Sequence, residues 1–309
     1  MKKKILMTGG TGLIGKKLAS ELCIQGAYVK ILTRNVKKAI DLFSRNYALE
    51  FLDLKKYDNP LTLKTVIEDT DVVINLAGQN VGDKRWNNDY KDEIYSSRIN
   101  STKLIVDSIK LSSNKPEVLI SASGVGVYGD KGDERVIEGS EPGTDFLAKV
   151  CVDWENEALK AVDLGIRVVI IRSGIVLDKS EGALPELLKP FKFFIGAYQG
   201  KGDQWFSWIH IEDIVKIYLF AIANTGVAGT VNAVSPEPVT NKNLIRTLSE
   251  FKKSAFLMSV PGFVLKIVAG EFAWNLLTGQ KVFPDKLIKE GFIFRFPDLK
   301  SSLSDLFRK

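Results

Sequence analysis

Three glycines near the start of the chain have the spacing Gly-x-x-Gly-x-x-Gly: Gly9, Gly12 and Gly15. They follow the apolar run Ile5–Met7, and an amphipathic helical pattern begins directly after them. In such a strand–turn–helix unit the first glycine permits the tight turn, the second lets phosphates approach the backbone, and the third lets the helix pack closely. The N–H groups and dipole of the helix start then attract an anion. We predict that this turn binds a dinucleotide pyrophosphate through Gly9, Gly10, Thr11, Gly12, Leu13, Ile14 and Gly15.

The end of the second predicted strand indicates which dinucleotide is bound. An NAD site commonly has a carboxylate about 20 residues beyond the glycine turn, where it binds the adenosine ribose hydroxyls. This chain has Thr33 and Arg34 instead, followed by Lys37 and Lys38. A guanidinium binds a phosphate through two parallel hydrogen bonds, whereas a carboxylate would repel it. The pattern favours NADP(H), with the alternative that Arg34 is an ordinary surface arginine at a strand end.

Two further strand ends are predicted to line the same ligand. Asp53-Leu54 ends the third strand, where an adenine edge could be contacted. Asn75-Leu76-Ala77-Gly78 ends the fourth strand, and its small residues let the backbone approach the ribose and nicotinamide. The alternative for this second segment is a plain strand and turn.

The elements that must hold these residues alternate between strands and helices through the first half of the chain. Short apolar runs predict buried parallel strands, and the patterns between them predict helices. The sequence therefore predicts an α/β fold: a doubly wound parallel Rossmann sheet, with ligands at the carboxyl ends of its strands, and a smaller C-terminal α/β lobe. We expect residues 1–175 to form the NADP-binding domain, with part of 205–235 returning to it, and residues 176–309 to form the substrate-side lobe. The strands are predicted at Ile5–Met7, Tyr28–Thr33, Leu49–Leu52, Val72–Leu76, Val118–Ser121 and Val168–Arg172.

Composition narrows the possible classes of protein. The 309 residues are 45% apolar and 26% charged, which is typical of a globular protein. The net charge of +6 is modest and is expected to be spread out, and no basic cluster with interleaved aromatic residues indicates a nucleic-acid partner. Cys23 and Cys151 lie far apart and His210 is the only histidine, so we expect neither a disulfide framework nor a metal site. We see no signal peptide and no run of membrane-spanning length, so we expect a cytoplasmic protein without a membrane partner.

Motifs along nearly the whole chain resemble those of the extended short-chain dehydrogenases/reductases. The likeness is closest to an atypical subgroup of NAD-dependent epimerase/dehydratase-like proteins, also described as cell-division-inhibitor-like or epimerase family proteins. Besides the glycine turn and the end of the fourth strand, the segments that carry the resemblance are Lys84-Arg85-Trp86, Ser97–Asn100, Ser121–Gly129, Phe146–Ala148, Asp153–Glu155, Arg172–Leu177, Trp208–Asp213, Gly279–Val282 and Phe296–Leu299.

The resemblance implies cofactor contacts for individual residues. Taken alone, Glu93 and Arg98 would be interpreted as charges on a solvated helix face. The contacts that the resemblance implies are Thr33 and Arg34 at the adenosine-side phosphate, Leu76 and Ala77 along the cofactor through their backbone, Glu93 and Arg98 toward the same ligand, and Val176 near the nicotinamide.

The proton donor typical of this group is missing. Short-chain reductases use the tyrosine of Tyr-x-x-x-Lys, whose lysine lowers the tyrosine pKa, but none of the eight tyrosines here has a lysine four residues later. Phe146 stands where the motif is expected. Ser123 matches the serine that positions the substrate oxygen and is the candidate catalytic residue, and Asn100 matches the helix asparagine of these enzymes. Tyr128 and His210 are weaker candidates for the missing acid, with packing and the ordering of a helix start as their structural alternatives.

Two hypotheses of function follow. The first is an NADP(H)-binding, atypical short-chain dehydrogenase/reductase, either an oxidoreductase or a nucleotide-sugar epimerase-like enzyme with an unknown small-molecule substrate. The alternative is a non-catalytic NADP(H)-sensing regulatory or scaffold protein, which the missing tyrosine favours. A homodimer is compatible with both. Residues that would form a cleft for an anionic, planar or sugar-like ligand, unless the aromatic ones pack between lobes, are Lys84, Arg85, Trp86, Arg98, Trp205 and Trp208.

Overall fold

The computed structural model describes residues 3–43 and 48–308. Within these ranges the strands are Lys4–Thr8 (β1), Tyr28–Thr33 (β2), Leu49–Asp53 (β3), Val72–Asn75 (β4), Val118–Gly124 (β5), Arg135–Val136 (β6), Arg167–Ser173 (β7), Ile175–Leu177 (β8), Ile195–Gln199 (β9), Trp205–Phe206 (β10), Trp208–His210 (β11), Gly229–Ala233 (β12), Val239–Thr240 (β13), Phe256–Val260 (β14) and Lys281–Val282 (β15).

The α-helices of the same ranges are Leu13–Ile24 (α1), Val36–Phe43 (α2), Pro60–Ile67 (α3), Asn88–Leu111 (α4), Phe146–Leu159 (α5), Ala183–Leu188 (α6), Ile211–Ala223 (α7), Asn241–Phe251 (α8), Gly262–Ala269 (α9), Ala273–Leu277 (α10), Asp285–Lys289 (α11) and Leu299–Phe307 (α12). No helix of the described residues is both long enough and apolar enough to cross a membrane.

Seven strands form the central sheet in the order β12-β7-β5-β4-β1-β2-β3, and all of its pairs are parallel. The apolar runs of the sequence become its inner strands because both faces of a parallel sheet are covered. The predicted α/β doubly wound fold is therefore confirmed. The neighbouring carboxyl ends of β1 and β4 place Thr8 beside Asn75, and those of β2 and β3 place Thr33 beside Asp53.

Helices cover the central sheet on both faces. On one face, Leu18 and Leu22 of α1 share a buried cluster with Ile214 and Ile217 of α7. On the other face, the buried side chains of α3, α4 and α5 form a second cluster. The two layers fix the carboxyl ends of the strands, where the candidate site lies.

The C-terminal part of the chain has its own apolar cluster. It is formed by side chains of β8, α6, β11, α8 and α12, with fully buried Trp208 among them. Helix α12 was not predicted from the sequence, and it begins where the Asp298 carboxylate accepts a hydrogen bond from the Ser301 N–H at 2.8 Å. Strands β9 and β14 pair in parallel beside this cluster.

The pairing of β9 with β14 brings two lysine-containing segments together. Residues 187–202 and 251–270 together contain six lysines and no Asp, Glu or Arg. The two segments are far apart in the sequence, but their strands pair directly, with Ile195 opposite Phe256. The pairing therefore brings the lysines of these two segments into one part of the structure, with Glu186, Asp203, Glu250 and Glu271 directly beyond the ends of the segments.

Candidate functional site

The glycine turn joins β1 to α1 at the middle of the sheet. Gly9 has φ +66°, and a Cβ on it would lie 2.6 Å from the carbonyl carbon of Leu76. A Cβ on Gly15 would lie 2.4 Å from the Gly9 carbonyl oxygen, so α1 can approach the turn only with glycine here. Gly9 is thus required where the turn packs against the end of β4, and Gly15 is required where α1 packs against the turn.

The middle glycine of the turn has a different environment. A Cβ on Gly12 would meet only the Gly9 oxygen, at 3.4 Å, which is an ordinary contact. Gly12 is the N-cap of α1 and provides no side-chain cap for the first N–H groups of the helix. These N–H groups and the helix dipole are the features that bind a phosphate group.

The end of β2 presents positive charge. Arg34 is exposed, and no hydrogen bond or ion pair involves it within the described residues. The Asn35 carboxamide oxygen accepts from the Lys38 N–H at 2.9 Å and caps α2, whose first turn has no acidic residue. The nearby Asp53 carboxylate accepts from the Lys55 N–H at 3.0 Å. Leu54 follows Asp53 and is half-buried.

Buried hydrogen bonds fix the end of β4 against β1. The Thr8 hydroxyl donates to Asn75 Oδ1 at 2.6 Å, and Asn75 Nδ2 donates to the Thr102 hydroxyl oxygen at 2.8 Å. The Leu76 N–H also donates to the Thr8 carbonyl, at 3.2 Å. The backbone of Leu76 and Ala77 therefore lies directly beside Gly9, and the contact of these residues with a cofactor stays a prediction.

Arg98 is a half-buried cation beside this strand end. Its Nη1 donates to the carbonyls of Gln79 and Ile94, at 3.0 and 2.9 Å, and its guanidinium lies 5.1 Å from the Trp154 ring. Within the described residues no carboxylate pairs with it, and burial lowers its pKa. A Cβ on Gly78 would lie 3.1 Å from Arg98 Cζ, so the glycine permits this approach.

Glu93 differs from Arg98 in its surroundings. Its exposed carboxylate lies 3.2 Å from Lys84 Nζ. Val176 lies in β8, and the following turn bends back over α1: a Cβ on Gly182 would lie 3.1 Å from the Leu13 side chain and 3.6 Å from the Val176 carbonyl oxygen. The cofactor roles of all these residues stay predictions, but the structure places Val176, Leu13 and Gly78 around the same strand ends.

Ser123 is engaged in a buried hydrogen-bond network. Its hydroxyl donates to Glu155 Oε1 at 2.6 Å, and Glu155 also accepts two hydrogen bonds from Arg172. The Tyr128 hydroxyl donates to Asn232 Oδ1 at 2.7 Å and accepts from Arg172 at 2.9 Å. Tyr128 is fully buried, and burial raises its pKa, so its proton is not presented to a cleft.

The catalytic role of Ser123 stays a prediction, because its hydroxyl would have to leave Glu155 to meet a substrate. Asn100 lies exposed on α4 and forms no hydrogen bond within the described residues, so it does not join Ser123. His210 has a structural role at the start of α7: its Nδ1 accepts from the Glu212 N–H at 3.1 Å and caps the helix, and its ring centroid lies 3.9 Å from that of Phe296.

A cavity of about 600 Å³ opens beside the expected tyrosine position. Phe146 begins α5 and packs edge-on against Trp86, with ring centroids 5.2 Å apart. Arg85 and Trp86 of the predicted cleft line this cavity, whereas Trp208 is buried elsewhere and Trp205 Nε1 donates to Asp133 at 2.7 Å. The opposite wall of the cavity was not predicted from the sequence and comes from the C-terminal segment: Lys266, Gly270, Glu271, Trp274 and Asn275.

The glycine turn, the parallel sheet and the backbone approach of β4 define an α/β protein with a Rossmann-like, dinucleotide-binding fold. Residues 5–233 match the model of the NAD dependent epimerase/dehydratase family, and residues 260–306 match DUF1731, a domain of unknown function. The chain belongs to the NAD dependent epimerase/dehydratase family.

Several relatives are similar over almost the whole chain. Epimerase family protein YfhF of Bacillus subtilis (strain 168) is 36% identical over 303 residues, covering 98% of this chain and 97% of YfhF. The chloroplastic SDR39U1 homolog of Arabidopsis thaliana, also an epimerase family protein, is 36% identical over 301 residues, covering 97% of this chain and 85% of the relative. The crystal structure of human epimerase family protein SDR39U1 (isoform2) with NADPH has a TM-score of 0.87 and 30% identity, covering 98% of this chain and 99% of that one. The resemblance expected from the motifs is confirmed.

Proposed function

We propose that this protein binds NADP(H) at the carboxyl ends of β1, β2 and β4 and uses it in hydride transfer to or from a small molecule. The observation that carries the cofactor choice is Arg34, an exposed guanidinium without a partner in the described residues, at the end of β2, where the first turn of α2 has no acidic residue. The structure of the human relative with NADPH supports the same choice.

The residues present fit this cofactor. Gly12 leaves the start of α1 open to the pyrophosphate, Arg34 offers two parallel donors to a 2′-phosphate, and Arg98 adds a half-buried positive charge beside Gly78. When bound, NADPH supplies a hydride. The protein itself supplies binding, orientation and electrostatic stabilisation.

Fluorescence titration with NADPH and NADH tests the cofactor choice. Arg34→Ala should weaken NADPH binding about tenfold or more, because a charge-assisted bidentate contact is lost, and should leave NADH binding nearly unchanged. Lys55→Ala, at the end of the neighbouring strand, is the control. Equal affinities of the unaltered protein for both cofactors, or an Arg34→Ala variant with unchanged preference, would contradict the NADP(H) assignment.

The substrate is proposed to bind in the cavity beside Phe146. Two of its acidic side chains are already engaged, since Asp145 caps α5 and Glu271 pairs with Lys91 at 2.7 Å. Arg85 and Lys266 of the wall form no ion pair within the described residues. A cavity with free cations and aromatic walls favours an anionic, planar substrate.

Of the two candidate reactions, reduction of a small molecule is favoured over epimerisation of a sugar. Epimerisation needs a base that removes a hydroxyl proton, and Phe146 at the tyrosine position has no group to accept it. A reductase acting on an acceptor whose anion is stabilised by Arg85 or Lys266 needs no tyrosine. Monitoring NADPH oxidation with a panel of anionic quinones and aromatic carboxylate-bearing ketones tests this, and turnover should fall in Arg85→Ala.

The engaged state of Ser123 and Tyr128 favours a second candidate, a non-catalytic NADP(H)-binding regulatory or scaffold protein. Under this alternative NADPH binds with the same dependence on Arg34, but no compound in the panel is reduced. Turnover of one compound that is lost in Arg85→Ala and retained in Lys55→Ala would exclude it.

A further inference from the structure

A set of apolar side chains lies exposed on the β9–β14 pair and on α9. Helix α9 has no buried residue, and its Phe263, Ile267 and Val268 are 67%, 68% and 72% exposed. An apolar helix of this length gains little stability from its own hydrogen bonds, so a face without contacts is typical of an element that binds a partner. The members of this surface, which we term the apolar–lysine surface, are Phe193, Phe194, Phe256, Leu257, Met258, Phe263, Ile267 and Val268 with the lysines of residues 187–202 and 251–270.

The parts of this surface belong to one connected unit. The Ala255 N–H donates to the Phe194 carbonyl at 2.7 Å, which joins the exposed phenylalanines before β9 to the start of β14. Strand β14 runs through Pro261 directly into α9, whose Leu265 N–H donates to the Pro261 carbonyl at 3.3 Å. The exposed residues of the strand pair and of the helix are therefore held next to one another.

Lysines dominate the charge of this unit, although Glu186, Asp203, Glu250 and Glu271 lie directly beyond its ends. Residues 187–202 and 251–270 contain six lysines and no acidic residue, whereas the rest of the chain has equal numbers of basic and acidic residues. Lys189 is paired with Glu186, and Lys252 lies 4.6 Å from the Phe307 ring. Apart from Lys266, which lines the cavity beside Phe146, the lysines that are exposed and form no ion pair within the described residues are Lys192, Lys201 and Lys253.

We propose that the apolar–lysine surface docks on an anionic phospholipid membrane without spanning it. Interfacial segments combine exposed Phe, Leu and Met side chains, which enter the acyl boundary, with lysines that attract anionic headgroups. The successive residues Phe256, Leu257 and Met258 are all exposed although they alternate between the two faces of β14. Lipid molecules can rearrange around a strand that enters the interface and so contact the side chains on both faces of β14. A flat protein partner would contact only one face of the strand.

A second copy of the chain is a less suitable occupant. In a symmetric dimer the same patch meets itself, so the lysines of one copy would face those of the other and repel them. The proposal gives α9, which lies in the DUF1731 segment, a role in membrane binding. It differs from the expectation of no membrane partner, which was based on the absence of a membrane-spanning run.

Flotation of the full chain with vesicles tests the proposal. It should bind mixed phosphatidylcholine–phosphatidylglycerol vesicles, bind pure phosphatidylcholine vesicles far less, and be released by high salt. Each of Lys192→Glu and Lys253→Glu should lower the partition coefficient by about fivefold or more, because each removes one attractive charge and adds a repulsive one. Phe256→Ser should lower it about tenfold through lost apolar burial.

Matched controls come from exposed residues elsewhere. Lys115→Glu makes the same charge change, and Ile293→Ser removes an apolar side chain that is 85% exposed, so both should bind vesicles like the unaltered protein. Binding that is absent, or that the controls weaken as much as Lys192→Glu does, would overturn the proposal. A dimer in sedimentation velocity that Phe256→Ser dissociates, or binding to polyglutamate in place of vesicles, would assign the surface to a second copy or to an acidic protein instead.

Discussion

The guanidinium of Arg172 holds the carboxylate of Glu155 through two hydrogen bonds, from Nε to Oε1 at 2.8 Å and from Nη2 to Oε2 at 2.7 Å. Both side chains are largely buried, and the pair joins β7 to α5. The Ser123 hydroxyl supplies a third hydrogen bond to the same carboxylate. The candidate catalytic serine is thus part of a structural ion pair, which makes its two roles separable by mutation.

Glu155→Ala should lower the free energy of unfolding by about 3–5 kcal/mol, because it leaves Arg172 buried without a counter-ion. Urea denaturation gives this value. Glu117→Ala removes the partner of Lys3 in an exposed ion pair and should cost less than about 1 kcal/mol. Equal losses in the two variants would contradict the importance of the buried pair.

Ser123→Ala should lower the free energy of unfolding by about 2 kcal/mol, the typical value for a hydrogen bond to a charged group. NADPH affinity should be unchanged, since the serine is engaged with Glu155. The two measurements are urea denaturation and fluorescence titration. If instead stability is unchanged and NADPH-dependent turnover is lost, Ser123 acts on the substrate as the sequence predicted.

Two glycines of the turn are expected to differ in role, because Gly12 permits cofactor binding and Gly15 permits the packing of α1. Gly12→Ala should fold with nearly unchanged thermal stability, because its Cβ meets only the Gly9 oxygen at 3.4 Å and its φ is −81°. It should nevertheless weaken NADPH binding, since the Cβ projects where the phosphates approach. Gly15→Ala should lower the melting temperature by several degrees, because its Cβ would lie 2.4 Å from a backbone oxygen. Similar behaviour of the two variants in thermal unfolding and titration would contradict this assignment.

The parts of the fold that were predictable have strong local signals. The apolar run Tyr28–Thr33 predicted a strand with the bounds that the structure has, because a strand buried in a parallel sheet is apolar along its length. Helix α12 was missed because its few apolar residues are separated by serines, and its stability comes from packing against α8. Strand β14 was missed because it is exposed and pairs only with a distant segment.

In the candidate site, too, the features set by neighbouring residues were predictable from the sequence, whereas contacts between distant residues were not. The spacing of Gly9, Gly12 and Gly15 reports a local turn, so the sequence alone indicates it. The hydrogen bond between Ser123 and Glu155 joins residues 32 positions apart, and the one between Tyr128 and Asn232 joins residues 104 apart. Motif matching gives each residue a role but gives no information about such partners, which decide whether its hydroxyl is free.

His210 should make the stability depend on pH. Burial lowers its pKa to about 4 from the ordinary 6.5, and the charged groups around it are Asp305, Lys17, Asp178 and Arg295. Between these two pH values the unfolded chain binds a proton that the folded chain does not, so the free energy of unfolding should fall as the pH is lowered from 6.5 toward 4. The loss attributable to this group is up to about 3 kcal/mol.

The variant His210→Asn isolates this contribution. Asparagine keeps a side-chain acceptor for the Glu212 N–H at the start of α7 but does not titrate. The unaltered protein should therefore lose more stability than the variant over this pH range, and carboxylates common to both cancel in the difference. Urea denaturation of both proteins at several pH values measures it. Parallel pH profiles would show that His210 is charged in the folded state or exchanges freely with solvent, contrary to its burial beside Phe296.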